Sequence, residues 1–308
     1  MRIVVALGGN ALLRRGELPD ADVQTANIDR VATAIAALAI DHEVVLTHGN
    51  GPQIGLLAGE SATDPALSAP YPLDLLGAQT QGMIGSLLLR VLYDTLPGHR
   101  IAALVTHTLV RVGDPAFLRP TKFVGRTYSR EAAGRLARKH GWRVAEDTTG
   151  WRRVVASPAP DRVVETDTIH ELLSGGTLVI CAGGGGVPVV ADPDTGALTG
   201  VEAVVDKDLT AALLAEDLKA DFLLVLTDVP HVYAEYGTPR QHPLHDATPT
   251  TLRHGRFAAG SMGPKTEAAA RFVERTGGLA AIGSLDAAYE MLHGRAGTLV
   301  RPDLPVVG

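Results

Sequence analysis

The stretch IVVALGGN at 3–10 decides the fold. Its apolar residues run without alternation, which fits a strand buried on both faces, and two glycines and an asparagine end it. The same grammar recurs in EVVLTHGNG (43–51), RIAALVTHT (100–108), TLVICAGGGG (177–186) and DFLLVLTDV (221–229). Between these runs, NIDRVATAIAALAIDH (27–42), QTQGMIGSLLLRVLYDTL (79–96) and LTAALLAEDLKA (209–220) carry apolar residues at helical spacing. Strand and helix in alternation predict an α/β chain, a three-layer αβα sandwich around a mainly parallel open sheet. DPDTGALTG (192–200) reads as a turn between strands, and no Pro/Gly-rich linker divides the chain, so 1–308 is expected to form one domain.

Composition narrows the function classes. A chain of 308 residues, 45% hydrophobic and 20% charged, is an ordinary globular protein able to bury a large core. The single Cys181 excludes a disulfide framework and a four-cysteine metal site, and points to a reducing compartment. No stretch has the length and apolarity of a membrane span, and the opening MRIVVALGGNALLRRG is too short and glycine-rich for a signal peptide. A cytoplasmic protein with no membrane partner is expected. A net charge of −6 argues against a nucleic-acid partner.

That average conceals a shift. Residues 111–165 hold twelve Arg and Lys against six Asp and Glu, a local +6 that leaves −12 for the rest. The segment contains Trp142 and Trp151 and a self-contained helix, REAAGRLARKH, which Ser129 can cap and Gly141 can end. It reads either as an inserted hairpin with a solvated basic helix or as a positively charged lid over an anionic substrate. The two readings are compatible.

In open parallel sheets, ligands gather at the carboxyl ends of the strands. Three glycine loops are expected there: Gly8-Gly9-Asn10, His48-Gly49-Asn50-Gly51 and Gly183 to Gly186. Glycines between strand and helix bring bare N–H groups to an oxyanion, although glycine also simply makes tight turns. Known phosphate motifs fail: there is no G-x-x-x-x-G-K-[ST], no G-x-G-x-x-G after the first strand, and no kinase H-R-D or D-F-G. The histidines lack metal-ligand spacing. His48 remains open between a ligand or base and a structural hydrogen-bonding group.

Lysine is rare here, five among 28 basic residues. Lys139 and Lys219 sit in helix-like stretches among charged neighbours, whereas Lys122, Lys207 and Lys265 sit at turns or element starts, in TKFVG, DKD and GSMGPK. Compact ammonium groups suit the negative charge spread over a transferring phosphoryl group, so these three fit a kinase; chance placement is the plainer account.

The chain resembles the carbamate kinases of the amino acid kinase superfamily. The matching strings are VVALGGNAL (4–12), THGNGPQIG (47–55), QTQGMIG (79–85), TKFVG (121–125), GWRRVVASPAP (150–160), AGGGGVPVV (182–190), GVEAVVDKDL (200–209), LLVLTDV (223–229), VYAEYGTPRQ (232–241), GSMGPK (260–265) and AAIGSL (280–285), in the family order. TKxxG and GWRRVVxSPxP together set it apart from acetylglutamate and uridylate kinases. The resemblance implies the amino acid kinase fold, with 111–165 as a small protruding subdomain, and reversible phosphoryl transfer between ATP and carbamate to give ADP and carbamoyl phosphate. It also implies Mg²⁺ bound mainly through nucleotide phosphates, a homodimer and a place in arginine metabolism. A regulator without turnover and a same-fold kinase for another small acid are the alternatives.

Carried over residue by residue, Gly8, Gly9 and Asn10 would contact the group in flight, while Gly49, Asn50, Gly51 and Lys122 would hold carbamate. Lys207 and Lys265 would clamp the phosphates, and Asp208 would organise the lysines while Asp206 only shapes the turn. Gly183, Gly184, Asp228, Tyr236 and Met262 lie in motifs that resemble the nucleotide pocket. No protein metal ligand is assigned. Two departures stand out: Phe123 where many members carry proline, and Pro230-His231 in a stretch that is often acidic.

Overall fold

The strand that opens the chain lies in the middle of the main sheet. β1 (Arg2–Leu7) pairs in parallel with β2 (Glu43–His48) on one side and β12 (Phe222–Thr227) on the other. Beyond β2 come β9 (Thr177–Ile180) and β3 (Arg100–Ala103); beyond β12 come β16 (Leu279–Ser284), β17 (Thr298–Val300) and β15 (Asp246–Ala247). Of the pairs in this eight-stranded sheet, only β16–β17 is antiparallel. The computed structural model describes residues 1–14, 16–18, 20–258 and 260–303.

The unalternating hydrophobicity of β1 has a direct cause. Ile3, Val5 and Leu7 enter one core, packed with α2 (Ala21–Ala39), α4 (Leu73–Thr95) and α10 (Ala288–Leu292). Val4 and Ala6 enter a second core, with α6 (Thr166–Ser174), α7 (Lys207–Asp217), α8 (Pro249–His254) and α9 (Met262–Thr276). A strand whose two faces both meet helices must be apolar at every position. The three-layer sandwich is therefore the observed architecture.

One expected strand divides. RIAALVTHT supplies β3 to the main sheet only as far as Ala103, and His107–Leu109 is a separate strand, β4. Between them α4 takes hold of the chain: the Gln81 amide oxygen accepts from the backbone N–H of Thr106 at 3.1 Å and from its hydroxyl at 3.2 Å. β4 then pairs in parallel with β10 (Val187–Ala191) and antiparallel with β8 (Arg162–Val163), while β10 pairs antiparallel with β11 (Leu198–Gly200). The β10–β11 connection is the turn expected within 192–200, closed by the Asp192 carboxylate accepting from the N–H groups of Asp194 and Thr195.

Part of the basic segment folds as a unit of its own. β5 (Lys122–Tyr128), β6 (Arg143–Asp147) and β7 (Gly150–Val155) form an antiparallel sheet in the order β5-β7-β6. α5 (Arg130–His140) joins β5 to β6; Ser129 Oγ accepts from the Ala132 N–H, and Gly141 ends the helix at φ +68°, as the sequence predicts. This sheet meets the body along α3 (Gly51–Thr63), whose Ile54 and Ala58 share a small apolar cluster with Val124 and Val155. A short hairpin, β13 (Val232–Ala234) with β14 (His242–Leu244), completes the strands.

Candidate active site

The first two glycine loops meet at the carboxyl edge of the main sheet. Gly8 precedes the one-turn helix α1 (Gly9–Leu12), and Asn50 precedes α3. The Gly49 N–H donates to the Leu7 carbonyl at 3.0 Å, which folds the second loop across the first. A Cβ at Gly49 would lie 2.7 Å from the Gly9 nitrogen, so only glycine fits this approach. His48 is buried beneath, with Nδ1 3.1 Å from the Gly49 carbonyl. Burial pulls its pKa down to about 4, with the Gly49 hydrogen bond opposing and Lys207 assisting. A neutral His48 donating to Gly49 shapes the loop, which decides for the structural reading.

The third loop departs from expectation. Gly183–Gly185 make a short 3₁₀ turn, and the chain continues into β10 rather than into a helix. Its contribution is a close approach: Gly184 has φ +64°, and a Cβ there would collide with the Asn50 side chain. Asn50 is thereby confined, with its Nδ2 donating to Thr80 Oγ1 on α4 at 2.9 Å.

Opposite these loops, two carboxylates gather the three lysines singled out by the sequence. Asp206 caps α7, its Oδ1 accepting from the Asp208 N–H at 3.0 Å, while its Oδ2 accepts from Lys122 Nζ at 2.8 Å. Asp208, only 3% exposed, accepts from Lys207 on Oδ1 and from Lys265 on Oδ2, the latter at 2.9 Å. Lys207 is the first residue of α7 and Lys265 lies in the first turn of α9, so both helix N-termini add partial positive charge. Burial raises the Asp208 pKa, but the ammonium groups of Lys207 and Lys265 outweigh it and hold the carboxyl below its ordinary range. For Lys207, burial is the larger influence and lowers the pKa; Asp208 pulls it back, and Lys265 pushes it down again.

The cavity between loops and lysines has a volume of about 370 Å³. Gly8, Gly9, Asn10, Gly49, Asn50, Gly51, Lys122, Gly184, Lys207, Asp208, Asp228 and Lys265 all border it, and Asn10 Nδ2 donates to Asp228 Oδ2 at 2.8 Å. Asp206 borders it too, with more than the turn-shaping role expected of it. Three expected residues stand apart. Gly183 packs on His48, Met262 packs against the second core, and Tyr236 is 71% exposed in the β13–β14 hairpin loop. Phe123, at the departure from the family pattern, borders the cavity and lies under Arg152, whose guanidinium is 5.5 Å from the ring centroid. The role of Thr80 carries no local sequence signal, since its partner is 30 positions away.

Residues 1–282 match the model of the amino acid kinase family. Carbamate kinase of Rhizobium meliloti is 48% identical over 302 residues, covering 97% of this chain and 93% of that one. Carbamate kinase of Haemophilus influenzae is 46% identical over 301 residues, covering 97% and 96%. Carbamate kinase from Giardia lamblia, in a structure bound to AMP-PNP, superposes with a TM-score of 0.91 at 38% identity and covers 98% of each chain. The chain belongs to the amino acid kinase family and, within it, to the carbamate kinases.

Proposed function

We propose that the chain catalyses reversible phosphoryl transfer between ATP and carbamate, giving ADP and carbamoyl phosphate, in the cavity between the glycine loops and the lysines. The carrying observation is the convergence of Lys122, Lys207 and Lys265, from three separate elements, on Asp206 and Asp208 beside that cavity. Phosphoryl transfer asks the protein for positioning and charge neutralisation more than for covalent chemistry. The carbamate oxygen is already anionic and needs no general base. Lys207 and Lys265, oriented by Asp208, neutralise phosphate oxygens from the nucleotide side. The amides of Gly8 and Gly9 with Asn10 receive the group in flight, and Gly49, Asn50, Gly51 and Lys122 hold the carbamoyl end. In the reverse direction an ADP oxygen attacks carbamoyl phosphate and the same groups serve. Gly184 and Asp228 border the cavity on the side proposed for nucleotide, whereas Gly183, Tyr236 and Met262 lie outside its lining.

Mg²⁺ is part of this reading. Among the described residues no group of three or more His, Cys, Asp or Glu could hold a metal, and Asp206 and Asp208 are engaged by lysines. That donor set fits an ion carried in on nucleotide phosphates, which this hard, reluctantly dehydrated cation favours. When bound, it neutralises charge on the phosphate oxygens.

A homodimer is part of the proposal, as the family resemblance implies; light scattering tests it. A cytoplasmic location and a role in arginine metabolism are proposed too. No helix among the described residues is long and apolar enough to cross a membrane, and Cys181 is buried and free. The deciding experiment for the reaction is a coupled assay for ATP formed from carbamoyl phosphate and ADP, run beside acetylglutamate and other acids with ATP. Robust ATP formation is expected; none from carbamoyl phosphate, with turnover of another acid, would overturn the reading.

A further inference from the structure

The segment that carries the catalytic lysine begins with an acid that the reaction does not use. Glu202 lies four residues before Asp206, and it makes two contacts to different parts of the molecule. Its Oε2 accepts from the Leu73 N–H, the first amide of α4, at 2.9 Å. Its Oε1 accepts from the guanidinium of Arg153 on β7. Arg153 is only 8% exposed, and its guanidinium also lies 4.6 Å from the ring centroid of Trp142, the residue just before β6. The strand register makes these contacts consequential. Arg153 sits directly opposite Val124 on β5, two residues from Lys122. The small sheet is thus fastened to 202–208 twice, by Lys122 on Asp206 and by Arg153 on Glu202. Through Leu73, the same carboxylate fastens α4, whose Thr80 holds Asn50.

We propose that Glu202 is a positioning residue, which through Arg153 sets the seat of β5 and therefore the reach of Lys122 over the acceptor side of the cavity. The inference rests on the reading of Lys122 as a carbamate-binding group. Its chemistry is that of a buried guanidinium paired with a half-exposed carboxylate; removing that partner leaves an uncompensated charge, held only by the Trp142 ring and drawn toward water. Movement of Arg153 carries β7, and with it the paired β5. The nucleotide side, built on α7 and α9, is fastened separately by Asp208 and is unaffected.

Glu202→Gln tests this, because glutamine retains an oxygen for the Leu73 N–H and replaces the charged acceptor of Arg153 by an amide NH2 that cannot accept from it. The expected result is a loss of about tenfold in kcat/KM for carbamoyl phosphate, with KM for ADP within about twofold of the parent. In a Lys122→Ala background the same substitution should cost less than about twofold, because residues acting through one another are not additive. Arg153→Lys should follow the same pattern. A Lys122→Ala variant with parental turnover would overturn the assignment of Lys122 and this inference with it. A large Lys122→Ala loss on which the Glu202→Gln loss multiplies in full would overturn the inference alone, as would equal weakening of carbamoyl phosphate and ADP.

Discussion

The ammonium of Lys122 donates to the carboxylate of Asp206 at 2.8 Å, joining residues 84 positions apart. The other oxygen of the same carboxylate caps the helix that begins with Lys207. Asp206 therefore sets the distance between Lys122 and Lys207, and its two roles separate on mutation. Asp206→Asn keeps a cap oxygen and removes the charge that holds Lys122. Its unfolding midpoint should stay near the parent while kcat falls. Asp206→Ala should lose a further ~1 kcal/mol of stability with the cap. Urea titrations beside steady-state kinetics check both, and parental turnover in Asp206→Asn would show that Lys122 needs no such seat.

Lys207 and Lys265 share one buried carboxylate, so each holds the other's partner in place. On the proposed reaction, removing either deletes a positive charge beside the transferring group, an effect comparable to losing one oxyanion donor. Lys207→Ala and Lys265→Ala should each lower kcat by at least ~100-fold. Because Asp208 keeps one partner in either variant, circular dichroism should show a folded protein. Turnover near the parent in either variant would remove that lysine from the mechanism.

Much of this arrangement was legible in short-range pattern. The runs at 3–7 and 222–226 are apolar throughout because both faces of the sheet are covered, and no tertiary knowledge is needed to see it. The helix at 130–140 was legible from Ser129 and Gly141 for the same reason, since its cap and its stop are local. What failed was long-range. RIAALVTHT reads as one strand, and only Gln81 of α4 reveals where it breaks. Asp206 looks like a turn residue until Lys122 is brought to it from a separate sheet. Gly183–Gly186 looks like the glycine loops that open helices, although its work is steric confinement of Asn50. Family motifs suggest Tyr236 and Met262 for the nucleotide pocket, and neither borders the cavity: Tyr236 is exposed in a hairpin loop and Met262 opens α9 against the second core, since motif membership fixes chain position without fixing where a side chain points.

Gly184 is the glycine whose substitution bears on the placement of Asn50. Its φ of +64° already disfavours a side chain, and a Cβ would occupy the space of the Asn50 amide. Gly184→Ala should displace Asn50 from Thr80 and raise KM for carbamoyl phosphate by about tenfold or more, while KM for ADP changes little. Gly196→Ala is the control, since Gly196 also has positive φ, +72°, but nothing stands within 4 Å of its added Cβ. It should show backbone strain alone. Equal KM values in the two variants would mean that Asn50 does not hold the carbamoyl end.

His48 makes the site a source of acid sensitivity. Its pKa is about 4 in the folded protein against an ordinary 6.5, because burial among the glycine loops disfavours the imidazolium. A histidine with a depressed folded pKa favours the native state above its unfolded value, and that advantage is lost as pH falls. Below 6.5 the unfolded chain takes up a proton that the folded chain refuses until about 4. Between pH 7.5 and 5 this one group should remove about 2 kcal/mol of stability, from 1.36 kcal/mol per unit of pKa difference. His48→Asn, which can still donate to the Gly49 carbonyl, should be less stable at pH 7.5 yet lose correspondingly less on acidification. Denaturant titrations of both proteins at the two pH values decide it: parallel losses would mean that His48 is hydrated and protonates freely in the folded state, and the loop it supports would then owe its shape to Gly49 and Asn50 alone.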